Sequence, residues 1–137
     1  MIDDVGGVLI SAHPLRNFFN APPYNANLLY QNWPSPPGTP RQASRHELFT
    51  FVDFIEVTNG ANSDRENRFT LEIADQLSIP GTGGSDSHSV QGIGKSLTIF
   101  DDEIKDQSSL IKALKSGKFY PAEGLNTGTL KRFAKKI

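Results

Sequence analysis

Asp86 and His88 stand two residues apart at the end of the stretch Ile79-Pro80-Gly81-Thr82-Gly83-Gly84-Ser85-Asp86-Ser87-His88. In an extended segment, side chains two apart point to the same side. A carboxylate oxygen and an imidazole nitrogen would then converge on one point, a good ligand pair for a divalent transition metal. The glycines before them permit positive φ and close approach of another group. A plainer reading stands beside this one: a turn in which Asp86 caps backbone amides and His88 lies on the surface. His13 is a second candidate. It is followed by Pro14, which keeps the preceding residue out of helical conformation, so His13 is expected to close a strand. Arg16 follows three residues later. Glu56 lies among apolar neighbours in Asp53-Phe54-Ile55-Glu56-Val57-Thr58. A carboxylate there is costly unless paired or hydrogen-bonded, so Glu56 is either functional or the anchor of a network. Asn59-Gly60 after it is a good turn.

These residues need elements to hold them. Residues 5–12 are a short apolar run with β-branched members and read as a buried strand. Residues 17–43 read as a long loop holding six of the nine prolines, with Phe18, Phe19, Tyr24, Tyr30 and Trp33. Such a loop packs rather than drifts: its aromatics either cover the core or form a lid that shapes a pocket. Ser44 and Glu47 have capping-box spacing and predict a helix to about Val52, with His46 on its surface. Residues 53–58 read as a strand. Ser63 and Glu66 form a second capping box, and Phe69, Ile73, Ala74 and Leu77 keep a helical period to Leu77. Strands are expected at 80–84 and 96–100, a helix at 108–116 stopped by Gly117, and an extended piece at 119–121. The basic tail from Leu130 is expected to be solvated, and its run of cations is too short to point to nucleic acid.

With 137 residues the chain is expected to be one domain. A net charge of −1 gives no basic excess to recruit nucleic acid or an anionic membrane. No cysteine is present, so any metal must use His, Asp or Glu. No segment approaches the ~20 apolar residues of a membrane span, and no charged-then-apolar leader is seen. The cytoplasm is the expected compartment.

The order of strands and helices predicts parallel βα units. In such folds the C-terminal strand ends carry the active site. His13, Asp86 and His88 follow two different strands, with Glu56 and Asn59 from a strand between them. Two separate segments therefore deliver three potential ligands to one face.

Gly6-Gly7-Val8-Leu9-Ile10-Ser11-Ala12-His13-Pro14, Asp53 to Gly60 and the Ile79 to His88 stretch together resemble the polymerase and histidinol phosphatase (PHP) family, as do Ile93-Gly94-Lys95 and Thr98. The resemblance covers roughly residues 5–120. It implies an α/β fold with a partial (β/α)7 barrel-like parallel sheet, helices outside and the long Pro/aromatic loop. It implies a metal-dependent phosphoesterase in which His13, Asp86 and His88 ligate divalent ions (Zn, Mn, Fe or Mg). Arg16 would hold a phosphate through charge-assisted bonds, Asn59 would contact substrate, and Glu56 would belong to the same network. The family's first-strand His-x-His motif is not in this sequence, so the chain is expected to correspond to a C-terminal half of the family domain.

Three functions follow. One is a phosphoesterase, or its metal-binding half, acting on a phosphorylated small molecule or nucleotide. The second is a non-catalytic remnant serving as a scaffold or binding module. The third is an unrelated small α/β protein with a structural Asp-His turn. A half-barrel would expose strand edges, so self-association or a covering partner chain is expected.

Overall fold

The computed structural model describes residues 3–21, 23 and 26–135. Pro22 and Tyr24 of the predicted loop lie outside the described residues.

Three short strands, β1 (Ile10–Ser11), β2 (Phe54–Asn59) and β3 (Gly81–Gly84), form a parallel sheet in that order. Ile10 pairs with Phe54 and Ile55 with Gly81, with a register irregularity between Glu56 and Thr58. Three further strands, β4 (Ser96–Phe100), β5 (Phe119–Glu123) and β6 (Lys131–Arg132), form an antiparallel sheet. The architecture is thus mixed α/β, with parallel order confined to β1–β3. The two sheets meet at β3 and β4 through a side chain. Thr98 Oγ1 accepts from the Gly83 amide and lies 2.9 Å from the Gly83 carbonyl as well. A side chain on Gly83 would strike the Leu97 carbonyl, so the close approach requires glycine.

Helix α2 (Asp64–Leu77) joins β2 to β3 and forms as the sequence predicts. Ser63 Oγ accepts from the Glu66 amide, and Glu66 Oε2 accepts from the Ser63 amide at 2.8 Å. The helix ends in a left-handed Ser78. Its apolar face carries Leu71, Ile73 and Ala74 onto Ile55 and Val57 of β2. Full burial of a side chain such as Ile73 stabilises by about 1.5–3 kcal/mol. The period-two alternation of β2 sends Phe54 the other way, into a smaller cluster with Leu114 and Phe119. Leu114 comes from α3 (Gln107–Ser116), capped by Asp106 and closed by a left-handed Gly117.

Four local expectations are corrected. The strand at 5–12 shrinks to Ile10–Ser11, because Gly6 takes φ +69 and Asp3–Val5 forms a 3-10 turn. The helix at 44–52 is replaced by α1 (Pro40–Ala43) and a 3-10 turn at Glu47–Thr50. Thr39 caps α1 and Pro40 sits at its first position, where a missing amide hydrogen is no loss. Ser44 closes that helix instead of opening another. His46 is half-buried, not a surface residue: its ring stacks on Trp33 at 5.8 Å, and its Nδ1 accepts from the Leu48 amide. The tail is not fully solvated. Lys131–Arg132 pair with β5, and Phe133 is buried in the main core.

The loop aromatics join that core. Tyr30 is buried and donates its hydroxyl to the Ala43 carbonyl at 2.8 Å, and burial pushes its pKa above the ordinary tyrosine value. Phe18 and Trp33 pack around it.

Candidate functional site

Strand β1 ends at Ser11, and the chain then turns sharply at His13, whose φ is +30. The Arg16 amide donates to the His13 carbonyl at 3.1 Å, so the turn brings Arg16 back over the strand ends. A residue from the long loop holds this turn. Asn27 is buried, and its Nδ2 donates to the carbonyls of Pro14 and Arg16, both at 2.9 Å. Its Oδ1 accepts from the amides of Leu29 and Tyr30.

Glu56 on β2 anchors a network. Its Oε2 accepts from the His13 amide at 2.7 Å and from Asn59 Nδ2 at 3.0 Å. Gly84 makes room for it, since a Cβ there would overlap Oε1. Asn59, at the end of β2, is 1% exposed. Its Oδ1 accepts from Arg16 Nη2 and from the Ala61 amide, both at 2.9 Å. Asn67 of α2 fixes the Asn59 backbone on both sides, accepting from its amide and donating to its carbonyl.

Arg16 joins all three strand ends. Its Nε donates to Asn62, and Nη2 donates to Asn59 and to Asp86. Among the described residues, Nη1 carries no hydrogen bond. Asp86 follows β3 with φ +45. The hydrogen bond from Arg16 holds its carboxyl below the usual range. The charges of Arg16 and His13 and a bond from Asn59 add to this, and burial opposes it. Asp86 is therefore ionised at neutral pH. His88 is 85% exposed, with Nδ1 at 3.0 Å from the Asp86 carbonyl and 4.0 Å from Asp86 Oδ1.

The structure thus brings His13, Arg16, Glu56, Asn59 and Asp86 together and leaves His88 at the rim. The donor types suit a divalent ion, but the arrangement does not make a complete metal centre. Among the described residues, no three His, Cys, Asp or Glu side chains are grouped to hold an ion. Asp86 Oδ2 faces a guanidinium, and Glu56 Oε2 is committed to two donors. As they stand, these residues do not fit a metal without further donors.

Asn27, Asn62 and Asn67 were not singled out from the sequence. Asn62 precedes the Ser63 cap in a turn-forming run where its side chain could have been suspected, and Asn67 lies within the first turns of α2. Asn27 carried no such signal, because its partners are backbone atoms brought close only by folding.

Among the described residues, no helix is long and apolar enough to cross a membrane. No curated protein and no solved structure matches the chain. Residues 64–119 match the family model described as PHP-associated. The match includes Asp86 and His88 but not His13, Arg16, Glu56 or Asn59. From α2 to the start of β5, the chain is similar to the PHP-associated family, in agreement with the resemblance read from its sequence motifs.

Proposed function

We propose that this chain contributes to a PHP-type metal-dependent phosphoesterase centre, with His13, Asp86 and His88 as its share of the metal ligands. The observation that carries the reading is the charge balance at the three strand ends. Two carboxylates and one guanidinium share the cluster: Asp86 pairs with Arg16 directly, and Glu56 is tied to Arg16 only through Asn59. Such a cluster has room for a cation, and a cation beside Arg16 would in turn favour a phosphate dianion. Because no complete set of donors is grouped among the described residues, the reading requires further ligands to be supplied to the site. The bound ions would supply an activated water and polarise the phosphoryl oxygen. The chain's own part is to present Asp86 ionised and to orient Arg16, through Asn59 and Asn62, toward the phosphate. Partial barrel closure in the complete site, a cytoplasmic location and a phosphorylated small molecule or nucleotide as substrate belong to the same reading. So does self-association or a partner chain over β1, the sheet-edge strand that begins with exposed Ile10 and follows exposed Leu9.

The test is metal content by elemental analysis of the purified chain, together with hydrolysis of a generic aryl phosphate in added Mn²⁺ or Zn²⁺. Bound metal that falls on Asp86→Ala and His88→Ala supports the reading. Metal at background in wild type and variants alike, even when a chain that supplies the missing donors is added, overturns it.

A second reading, a non-catalytic binding module, is favoured by the direct Arg16–Asp86 ion pair, which places an organic cation on a candidate ligand. An Arg16–Asp86 pair that persists in added Zn²⁺, with no turnover even when a partner chain is supplied, would select it.

A further inference from the structure

We propose that the cleft beside the His13–Arg16 turn binds the organic part of a phosphorylated ligand, and that this part is an apolar ring rather than a polyol. The proposal deepens the phosphoesterase reading and rests on it for the position of the phosphate.

The cleft has a volume of about 350 Å³, within the range of small-molecule sites, which begins at roughly 300 Å³. It shares His13 and Arg16 with the strand-end cluster, so a ligand in it lies beside that cluster. Its remaining wall is largely apolar, from Pro14, Leu28, Leu29 and Leu48. Leu28 is 77% exposed, a large apolar side chain at the rim with little of its surface covered.

The polar groups in the wall decide between a ring and a polyol. Asn27 lines the cleft but offers a ligand nothing. Both hydrogens of Nδ2 go to the carbonyls of Pro14 and Arg16, and Oδ1 accepts from two amides. That exhausts the capacity of a side-chain amide. Asn17 Oδ1 already accepts from Asn20, which leaves Asn17 Nδ2 and the largely buried Ser11 hydroxyl as the other polar side-chain groups in the wall beside His13 and Arg16. Hydroxyl groups entering here would lose water and find few partners, which costs more than leaving them in solution. An apolar ring loses nothing of that kind and removes apolar surface from water. At the cluster end stands Arg16, with Nη1 free of hydrogen bonds among the described residues and 31% of its side chain exposed. Apolar walls with one cation at the end match a ring that carries an anionic group. The cleft on the other side of Asn59 and Asn62 has the opposite character. It is lined by Lys95, Lys131, Glu123 and asparagines and includes neither His13 nor Arg16.

The experiment follows leucine methyl signals by NMR with three probes, in the presence of Zn²⁺. Naphthylmethyl phosphonate carries ring and anion, naphthalenemethanol the ring alone, and methylphosphonate the anion alone. The expected result is that both naphthyl probes shift the Leu29 and Leu48 methyls, and that the phosphonate binds about 10-fold more tightly than the alcohol. Leu48→Asp should weaken both by about 10-fold or more. Leu48→Phe, which keeps the wall apolar but fills the cleft, should do the same if the polar variant fails to fold. Arg16→Gln should remove the advantage of the phosphonate and leave the alcohol unchanged. Methylphosphonate binding as tightly as naphthylmethyl phosphonate overturns the proposal. So do naphthyl probes that shift neither leucine. The alcohol needs no metal, so the ring measurement judges the cleft whether or not Zn²⁺ is taken up, while the phosphoesterase reading falls only if metal stays absent with the missing donors supplied.

Discussion

Arg16 Nη2 donates to both Asn59 and Asp86, so one guanidinium nitrogen ties the turn after β1 to the ends of β2 and β3. The two partners differ in kind. Asn59 is a neutral acceptor locked in place by Asn67, whereas Asp86 is a carboxylate in a strained positive-φ turn. The pairing therefore places a charge-dependent contact at the centre of the candidate site.

The first prediction is a pH dependence. Arg16 lowers the Asp86 pKa in the folded protein. A depressed carboxylate contributes stability above its unfolded value of about 3.9, and the contribution is lost as pH falls through the lower folded value. Arg16→Gln should thus cost about 1 kcal/mol at neutral pH for this partly buried pair, and the gap from wild type should narrow in acid. Denaturant unfolding at neutral and acidic pH checks it. An equal gap in both would show that the ion pair is not the source.

Glu56 depends on a missing side chain. Gly84→Ala would put a methyl group onto Glu56 Oε1 and displace the carboxylate from the His13 amide. Overpacking of this kind costs about 1–3 kcal/mol. Loss of thermal stability, with a shifted His13 amide resonance, is expected. An unperturbed His13 amide would mean that Glu56 does not hold the turn.

Asn27 satisfies backbone groups on two segments at once. Asn27→Ala leaves those groups without their partner and should destabilise by about 3 kcal/mol. Asn27→Asp can replace the acceptor but not the donors, so it should rescue only part of the loss. Full rescue by Asp would rule out the bonds to Pro14 and Arg16.

The C-terminal segment is part of the core. Phe133 is 3% exposed, and Arg68 lies over its ring at 5.3 Å. Phe133→Ala should cost about 3–4 kcal/mol. Trimming the chain before Leu130 should be as damaging, as read by calorimetry. A trimmed chain with the wild-type melting temperature would contradict the packing.

Much of the fold was legible because its signals are local. The Ser63–Glu66 box and the apolar period to Leu77 specify α2, since both rest on contacts within a turn or two of helix. Gly117 marks the end of α3 for an equally local reason, the left-handed conformation it adopts. The strands β2 and β4 followed from short β-rich runs. Local signals misled where two caps competed. Ser44 and Glu47 have the right spacing, but Thr39-Pro40 starts the helix earlier and leaves Ser44 to close it.

By itself the sequence determined that His13, Asp86 and His88 follow strands, that Glu56 needs partners, and that the chain resembles the PHP family. Spacing, residue type and motif carry that information along the chain. Tertiary structure alone decided what those residues face. Pairing β1 and β3 on either side of β2 put Arg16 against Asp86, and turned Glu56 into the anchor of the His13 turn. It left His88 in solvent and closed the Asn27 bonds between segments eleven to thirteen residues apart. It also chose antiparallel pairing for β4–β6, which drew Phe133 into the core. Such contacts depend on which strands become neighbours, and no pattern within a single strand or helix encodes that choice.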